Sequence, residues 1–426
     1  MSQPLPASVN IYTVGGAVRD ALLGLPSSDR DFVVTGATPE MMVRAGYKPV
    51  GKDFPVFLHP ETHEEYALAR TEKKDGRGYH GFMFYTSPDV TITDDLRRRD
   101  VTINAMAIDK HGVLIDPFSG KRDLALGVLR HVSPAFAEDP LRVLRVARFA
   151  ARFDFKVAEE TLALMRAIVQ SDELETLPAE RLWQETAKAL MSQKPARYLQ
   201  VLRECGALSR LMPEVDALYG VPQKPEYHPE IDTGLHVEAV LNAAARFASA
   251  TAENPDPLFD LPVRYALLCH DLGKAATPAA LLPSHHGHEE RGVPLARQLS
   301  ARLSVPQVCA DTALLVTKWH GALKPEIFSW SPKALLRLLL SVDALRRPER
   351  LKRLIACNVA DKNAHAKSPA PNEVGDYLIS IFSALRQMNL GEIAKDPKNA
   401  ANPAKIADAI RKAQLHVIAA VIKSSG

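Results

Sequence analysis

A tight glycine turn, followed closely by two carboxylates, constrains the fold of this chain more than any other feature. Residues 11–14 predict a short strand, and Gly15 and Gly16 let the backbone turn sharply and approach a bulky anion. Residues 17–23 then have helical character and carry Arg19, so backbone N–H groups and a guanidinium would point at the same spot. The pattern predicts a triphosphate-binding turn with Gly16 and Arg19 as contacts.

Asp29 and Asp31 supply the carboxylates. They precede or enter the apolar run 32–34, which predicts a second strand, and residues two apart on a strand point to the same face. Mg²⁺ is a hard ion that prefers carboxylate and phosphate oxygens. We therefore expect both side chains to hold the same Mg²⁺ beside the glycine turn and to be catalytic.

These two motifs carry a resemblance to a known family. Residues 15–24, Gly-Gly-Ala-Val-Arg-Asp-Ala-Leu-Leu-Gly, with Asp-Arg-Asp at 29–31, resemble the head of the class II tRNA nucleotidyltransferases, the CCA-adding enzymes. The resemblance implies an α+β fold: a polymerase β-like nucleotidyltransferase head of mixed sheet and helices, followed by an all-α neck, body with HD domain, and tail. It also implies template-independent addition and repair of the 3′-terminal CCA of tRNA from CTP and ATP.

A second cluster spans residues 94–107, where three arginines and an acid precede an alternating apolar segment. The alternation predicts a strand over 102–108. The block resembles the family's arginine-aspartate motif, which implies that Arg99 contacts nucleotide phosphate and Asp100 meets the ribose hydroxyl. Asn104 is expected to stabilise the local turn through its amide.

A third cluster, residues 138–150, predicts an amphipathic helix. Its apolar stripe repeats at helical spacing, and three arginines fall on the opposite side. The resemblance implies that Asp139 and Arg142 read the Watson–Crick edges of C and A, and that Arg145 and Arg148 complete the nucleotide pocket.

The three clusters together suit nucleotide addition. The RNA 3′ hydroxyl attacks the α-phosphorus of a nucleoside triphosphate and expels pyrophosphate, so positioning and charge neutralisation do most of the work. We expect two Mg²⁺ ions, since this arrangement activates the attacking oxygen and stabilises the leaving one. Glu72 is a candidate for a further metal-binding acid, although it could equally pair with Arg70.

Histidines cluster around the dipeptide His270-Asp271 in the second half of the chain. Imidazoles with an acid favour a transition metal over Mg²⁺. The pattern resembles an HD-domain metal phosphohydrolase, which implies 2′-nucleotidase, 2′,3′-cyclic phosphodiesterase and phosphatase activities supported by Ni²⁺ or another transition metal. His320 lies farther along, and Asp311 is a candidate for the terminal aspartate ligand. The expected ligands are His236, His270, Asp271, His286 and His288.

Composition agrees with a cytoplasmic enzyme. Of the 426 residues 46% are hydrophobic, and no segment approaches a membrane span, so we expect no membrane partner. The four cysteines are scattered, which indicates neither a zinc site nor a disulfide framework. A net charge of +3 permits RNA binding without arguing for it.

The landmarks predict four domains. These are the nucleotidyltransferase head at 1–137, a helical neck and body that bind nucleotide and tRNA at 138–227, the HD domain at 228–330 and a helical tail at 331–426. Helices are predicted at 161–170, 179–191 and 406–422. The sequence leaves a monomer and a homodimer open.

Two other functions remain open at this point. A bacterial poly(A) polymerase uses the same kind of head, although the histidine cluster argues against it. An HD phosphohydrolase with an RNA-binding head would leave Asp29 and Asp31 without a role. Whether a CCA-adding enzyme adds CCA, CC or only A can depend on a loop, placed here at 73–85.

Overall fold

The computed structural model describes residues 5–26, 30–50, 56–74, 82–224, 230, 232–248, 257–395 and 402–425. Contacts divide the chain into two compact units, Met1–Leu211 and Met212–Gly426. All named strands lie in the first unit. The described part of the second unit contains helices and no named strand. Among the described helices, none combines the length and apolar character needed to cross a membrane.

The first unit contains eleven named strands and nine named α-helices within its described part. The strands are β1 (Asn10–Val14), β2 (Asp31–Thr35), β3 (Lys48–Val50), β4 (Val56–Leu58), β5 (Glu65–Leu68), β6 (Arg70–Lys74), β7 (Phe82–Thr86), β8 (Ala107–Ile108), β9 (Leu114–Ile115), β10 (Val128–Leu129) and β11 (Lys156–Val157). The helices are α1 (Gly16–Leu22), α2 (Pro39–Arg44), α3 (Ile92–Arg97), α4 (Gly120–Leu126), α5 (Leu141–Phe153), α6 (Glu159–Gln170), α7 (Ala179–Leu190), α8 (Ala196–Glu204) and α9 (Ala207–Leu211).

A seven-stranded mixed sheet forms the centre of this unit, in the order β3-β4-β5-β2-β1-β8-β9. Strand β2 runs antiparallel to β1 and parallel to β5. Apolar clusters pack on the sheet, one around Val34, Met42 and Leu68 and another around Val14 and Leu96. The sheet therefore places the C-terminal end of β1 next to the N-terminal end of β2, so that Asp31 lies close to the glycine turn.

The α+β fold predicted from the sequence is confirmed, and so are the strands at 11–14 and 32–34 and the helices at 17–23, 161–170 and 179–191. The strand predicted over 102–108 is wrong in its first half. Residues Thr102–Asn104 form a 3₁₀ turn, and only Ala107–Ile108 joins the sheet. The Thr102 hydroxyl donates to Asp123 and the Asn104 amide donates to Asp100, and such side-chain bonds compete with a strand ladder.

The second unit is helical throughout its described part. Its helices are α10 (Pro213–Asp216), α11 (Thr233–Ala248), α12 (Leu261–Cys269), α13 (His288–Arg302), α14 (Gln307–Trp319), α15 (Pro332–Ser341), α16 (Pro348–Lys362), α17 (Glu373–Arg386), α18 (Leu390–Lys395) and α19 (Pro403–Ser425). Helix α12 is apolar and buried along its length, and it packs against α11, α14 and α16. This packing brings the C-terminal end of α12, where His270 follows, into the centre of the helices.

Candidate functional site

The glycine turn has the geometry that the sequence predicts. Gly15 has φ of 69°, in the left-handed region that favours glycine, and Gly16 begins α1. A Cβ added to Gly15 would lie 2.7 Å from Arg99 Nη1. The structure therefore brings Arg99 directly against the turn, and a side chain at position 15 would require Arg99 to move.

Asp31, one of the two predicted metal-binding carboxylates, lies beside this turn. Asp31 is the first residue of β2 and pairs with Val14, the last residue of β1. Asp29 lies outside the described residues. Glu65 of β5 lies in register with Asp31, so the two side chains share a face of the sheet. The side chain of Glu72 also lies outside the described part of the chain. Glu65 was not predicted as a site residue. Like Asp31, it is an acid that begins a strand of mainly apolar residues.

Arg19 points into the protein. It is 3% exposed, its Nη1 donates to Asn104 Oδ1 at 2.5 Å, and its Nε donates to Asp20 Oδ1 at 2.8 Å. The guanidinium also lies 4.8 Å from the ring centroid of Phe153. The sequence predicts that Arg19 contacts a triphosphate. In this conformation, however, its guanidinium contacts Asp20, Asn104 and Phe153 inside the protein.

The arginine-aspartate cluster is organised by a buried carboxylate. Asp95 of α3 is 0% exposed and accepts from Arg98 Nη2 at 2.7 Å and Arg99 Nη2 at 3.3 Å. The Arg99 Nε has no hydrogen-bond partner among the described residues. Asp95 thus holds Arg99 in place while leaving a buried donor unused beside the glycine turn.

Asp100 lies between this cluster and helix α5. Its Oδ1 accepts from the Val101 backbone N–H at 2.8 Å and Asn104 Nδ2 at 3.1 Å, and its Oδ2 accepts from Arg145 Nε at 2.8 Å. Burial alone would raise the pKa of Asp100, but the charge of Arg145 and the hydrogen bond from Asn104 outweigh burial and lower it. The carboxylate is therefore ionised throughout the physiological range.

Helix α5 and the residues just before it carry the other predicted nucleotide contacts. Asp139 Oδ1 accepts from the Leu141 backbone N–H at 3.0 Å and so caps the start of the helix. Arg142 is 8% exposed and donates to the backbone oxygens of Ala135 at 2.9 Å and Arg98 at 2.7 Å. The Arg142 backbone N–H donates to the Asp139 backbone oxygen at 3.0 Å, so Asp139 lies just before the first turn of α5 and Arg142 lies within that turn.

Glu185 is a functional candidate that sequence reasoning missed. It is buried on α7, and its Oε2 accepts from Arg148 Nε at 2.5 Å, while Arg145 Nη1 lies 4.0 Å from its Oε1. A signal existed, because Glu185 falls at helical spacing among the buried residues Leu182 and Ala189. Glu185 thus pairs with Arg148 and Arg145, two of the residues predicted to contact the nucleotide.

A separate cluster in the second unit gathers imidazoles and carboxylates from five helices or their ends. His236 lies on α11, His270 and Asp271 follow α12, His288 begins α13 and His320 follows α14. Asp361 comes from α16, and its Oδ1 lies 2.9 Å from His236 Nε2. The described donors form two groups whose ligand atoms lie within 4.8 Å of one another, with Asp271 in both: His236, His270 and Asp271, and Asp271, His288 and His320.

The histidine rings are held so that Nε2 faces the cluster. The Nδ1 of His270 bonds the Leu267 carbonyl oxygen at 2.7 Å, and the Nδ1 of His288 bonds the His285 carbonyl oxygen at 2.9 Å. A carbonyl oxygen only accepts, so Nδ1 carries the proton and Nε2 offers its lone pair. His320 has the same arrangement with the carbonyl oxygens of helix α14.

The donor set fits a divalent transition metal. His270 Nε2 and both oxygens of Asp271 are buried without a hydrogen bond of good geometry, although Lys274 Nζ lies 2.8 Å from Asp271 Oδ2. His288 Nε2 and His320 Nε2 lie 3.1 Å apart and both face Asp271 Oδ1, at 3.4 and 3.5 Å. Buried imidazole and carboxylate atoms that converge in this way are typical of metal ligands.

Comparisons with known proteins match most of the chain to known families. The family model described as "Poly A polymerase head domain" matches residues 11–130, "Probable RNA and SrmB- binding site of polymerase A" matches 154–219, and "HD domain" matches 233–364. The chain is 53% identical to the multifunctional CCA protein of Dechloromonas aromatica over 420 residues, 98% of each chain. It is 54% identical to that of Laribacter hongkongensis over 404 residues, 94% of this chain and 96% of the relative.

The chain belongs to the multifunctional CCA protein family. Solved structures agree on the fold. The apo form II of a CCA-adding enzyme has a TM-score of 0.67 at 23% identity and covers 98% of this chain and 92% of its own. A Thermotoga maritima CCA-adding enzyme in complex with tRNA has a TM-score of 0.59 at 22% identity with the same coverage.

We call the group of His236, His270, Asp271, His288, His320 and Asp361 the HD cluster. In this member of the family, the HD cluster holds an excess of negative charge. Burial alone would lower the pKa of His236, but hydrogen bonds with Asp361 and Glu230 outweigh burial and raise its pKa to about 9. Burial would raise the pKa of Asp271, but His270 and Lys274 outweigh it and lower that pKa. A site that attracts protons onto a buried imidazole also attracts a metal cation in their place.

The structure does not bring every predicted ligand to the cluster. His286 is exposed, and its backbone oxygen accepts from Arg291. Asp311 pairs with Arg350 at 3.0 Å and accepts from Gln307. The described ligand groups instead include His320, and Asp361 lies beside His236. Nothing in the local sequence around Asp361 marks it as a ligand, because it comes from a helix more than a hundred residues after His236.

Proposed function

We propose that this chain adds and repairs the 3′-terminal CCA of tRNA from CTP and ATP, and that its HD cluster hydrolyses phosphate esters. The observation that carries the proposal is sequence identity of 53–54%, over at least 94% of this chain, with proteins named multifunctional CCA proteins. The substrates follow from neighbours that were solved with CTP, with ATP and with tRNA. The two sites described above supply the chemistry for both reactions.

Nucleotide addition is assigned to the head and helix α5. Asp29 and Asp31 would hold Mg²⁺, which supplies activation of the attacking hydroxyl and neutralisation of the leaving pyrophosphate. Arg99 lies against the Gly15 turn with its Nε unpaired, so it has a donor for a triphosphate oxygen that approaches Gly16. Asp100 would accept from the ribose hydroxyl, and Arg145 and Arg148 would close the nucleotide pocket.

Base selection is assigned to Asp139 and Arg142. We expect Arg142→Ala to reduce the preference for CTP and ATP over GTP and UTP, because a site built to hydrogen-bond its substrate penalises a base that leaves its groups unpaired. The measurement is kcat/KM for each of the four triphosphates on tRNA that lacks the terminal nucleotides.

Arg197→Ala is the matched control for this prediction. Arg197 also donates to a backbone oxygen, that of Phe155 at 3.4 Å, but it lies on α8 and has no assigned contact with the base. Its base preference should equal that of the wild type. A uniform loss of rate with all four triphosphates in Arg142→Ala would assign Arg142 to packing instead of base reading.

Phosphate-ester hydrolysis is assigned to the HD cluster. His236, His270, Asp271, His288, His320 and Asp361 would hold Ni²⁺ or another transition metal, which supplies an activated water and polarises the phosphoryl oxygen. The protein's own groups keep Nε2 free on three of the imidazoles through their Nδ1 hydrogen bonds. The buried Lys274 is held by Gln223 at 2.7 Å and places a positive charge where a phosphate would approach Asp271.

The remaining assignments extend this proposal. We assign the head to 1–137, the neck and body to 138–227, the HD domain to 228–330 and the tail to 331–426. The HD assignment needs Asp361 as well, which lies beyond its predicted boundary. A cytoplasmic location and a monomer or homodimer stay predictions.

A product ladder tests the proposal. The substrate is tRNA that ends at the discriminator base, incubated with CTP alone, ATP alone or both. We expect two additions with CTP alone and exactly one further addition when ATP is present. A long ladder with ATP alone would instead indicate poly(A) synthesis, and no addition at all would leave only the phosphohydrolase.

A further inference from the structure

A continuous chain of hydrogen bonds runs from the exposed Arg152 of helix α5 to buried side chains that begin in the glycine-turn helix α1. Arg152 Nη2 donates to Asp20 Oδ2 at 2.9 Å, and Asp20 Oδ1 accepts from Arg19 Nε. Arg19 Nη1 donates to Asn104 Oδ1, and Asn104 Nδ2 donates to Asp100 Oδ1. Arg19 therefore reaches the predicted ribose contact through Asn104.

The orientation of the Asn104 amide follows from its partners. A guanidinium can only donate and an ionised carboxylate can only accept, so the amide oxygen must face Arg19 and the amide nitrogen must face Asp100. Both contacts are buried, and Asn104 itself is 6% exposed. The amide is thus held at both ends and fixes the plane of the Asp100 carboxylate.

The two oxygens of Asp100 have different remaining capacity. Oδ1 already accepts from Asn104 and from the Val101 backbone N–H. Oδ2 accepts from Arg145 Nε alone among the described residues, which leaves one lone pair for a hydroxyl donor. Rotation of the carboxylate would move that lone pair away, and the bond from Asn104 is the side-chain contact that, with the Val101 backbone N–H, holds Oδ1 in place.

We infer that Asn104 is the positioning residue that aims Asp100 at the ribose hydroxyl, and that Arg19 acts on nucleotide selection through Asn104 and not by touching the triphosphate. The inference rests on the proposed function, because it concerns how the same site chooses ribonucleotides. It assigns Arg19 a role that its burial and its internal contacts allow, whereas a direct phosphate contact would require those contacts to break.

The test compares CTP with 2′-deoxy-CTP, two substrates that carry the same triphosphate and base. In Asn104→Ala and Arg19→Met we expect the ratio of kcat/KM for CTP to that for 2′-deoxy-CTP to fall about tenfold, the size expected for loss of one hydrogen bond to a charged group. Arg19→Lys keeps a donor for Asn104 and should restore part of the ratio. A direct triphosphate contact would reduce both substrates equally and leave the ratio of Arg19→Met unchanged, which would overturn the inference.

A double mutant adds a second criterion. If Arg19 acts through Asn104, the variant with both Arg19→Met and Asn104→Ala should show no lower ratio than Asn104→Ala alone. Independent effects that multiply would contradict the relay. If Asn104→Ala does not fold, the comparison of Arg19→Met with Arg19→Lys still decides, because both leave Asn104 in place.

Thr102→Val is the matched control. It removes a buried hydrogen bond of 2.7 Å to Asp123 in the same 3₁₀ turn, without a described contact to Asp100 or Arg19. We expect its ratio to equal that of the wild type, whereas an equal fall there would indicate a general effect of loosening the turn and overturn the inference. A wild type that adds no CTP would contradict the proposed function itself, and one that adds both nucleotides equally would contradict the ribose role of Asp100.

Discussion

Asp31→Ala is expected to reduce CTP incorporation by at least about a thousandfold, since a lost metal carboxylate removes charge stabilisation that exists only in the transition state. Asp29→Ala should behave in the same way. The affinity for tRNA should change little, because RNA binding depends on basic contacts and on the shape of the acceptor stem. Single-turnover incorporation into tRNA that ends at the discriminator base measures the first quantity, and fluorescence anisotropy measures the second.

Two further variants separate charge loss from structural damage. Asp31→Asn keeps the size of the side chain at the start of β2 and should lose activity almost as completely as Asp31→Ala. Glu61→Ala removes an exposed acid from the same head and should retain wild-type activity. Incorporation that survives in the variant lacking both Asp29 and Asp31 would contradict the assignment of these residues to the metal.

Local patterns allowed the first part of the fold to be predicted. The strand at 11–14, the glycine turn and the helix that follows are set by neighbouring residues, and pairing of β1 with β2 then places Asp31 at the turn. The segment 102–108 shows the limit of this reasoning. Its alternating residues favour a strand, but hydrogen bonds from Thr102 to Asp123 and from Asn104 to Asp100 fold its first half into a turn.

The contacts of Arg19 could not be predicted from its own motif. Its neighbours in the sequence suggest an exposed cation beside a phosphate site, whereas Asn104 and Phe153 reach it from positions about a hundred residues away. In this conformation the guanidinium is buried and donates to internal acceptors, and these contacts depend on residues that are distant in the sequence.

The HD cluster shows the same division between local and distant information. His270-Asp271 follows the apolar helix α12 directly, and the dipeptide could be recognised from the sequence. Spacing alone could not choose between Asp311 and Asp361, since both lie on helices that follow His288 in the sequence. The packing of α11 against α16 decides which carboxylate meets His236, and sequence separation carries no information about that packing.

Asp271→Asn is expected to abolish hydrolysis of 2′,3′-cyclic nucleotides and of simple phosphomonoesters, because Asp271 belongs to both groups of candidate metal ligands. We expect a loss of at least about a thousandfold together with loss of bound Ni²⁺, while CCA addition with Mg²⁺ stays close to normal. Metal content after Ni²⁺ loading and dialysis gives a measurement that does not depend on activity. Asp361→Asn and His320→Ala should also lose metal, whereas Asp311→Asn should keep it.

His416→Ala is the matched control for this last experiment, because His416 also bonds a helix carbonyl oxygen through Nδ1 but is exposed on α19. It should keep both metal and hydrolysis. Normal metal content and normal hydrolysis in Asp271→Asn would contradict the HD assignment, and loss of metal in Asp311→Asn but not in Asp361→Asn would reverse the choice of ligand. Since the two proposed sites would use different carboxylates and different donor chemistry, each variant should remove one activity and leave the other, as expected for two independent sites.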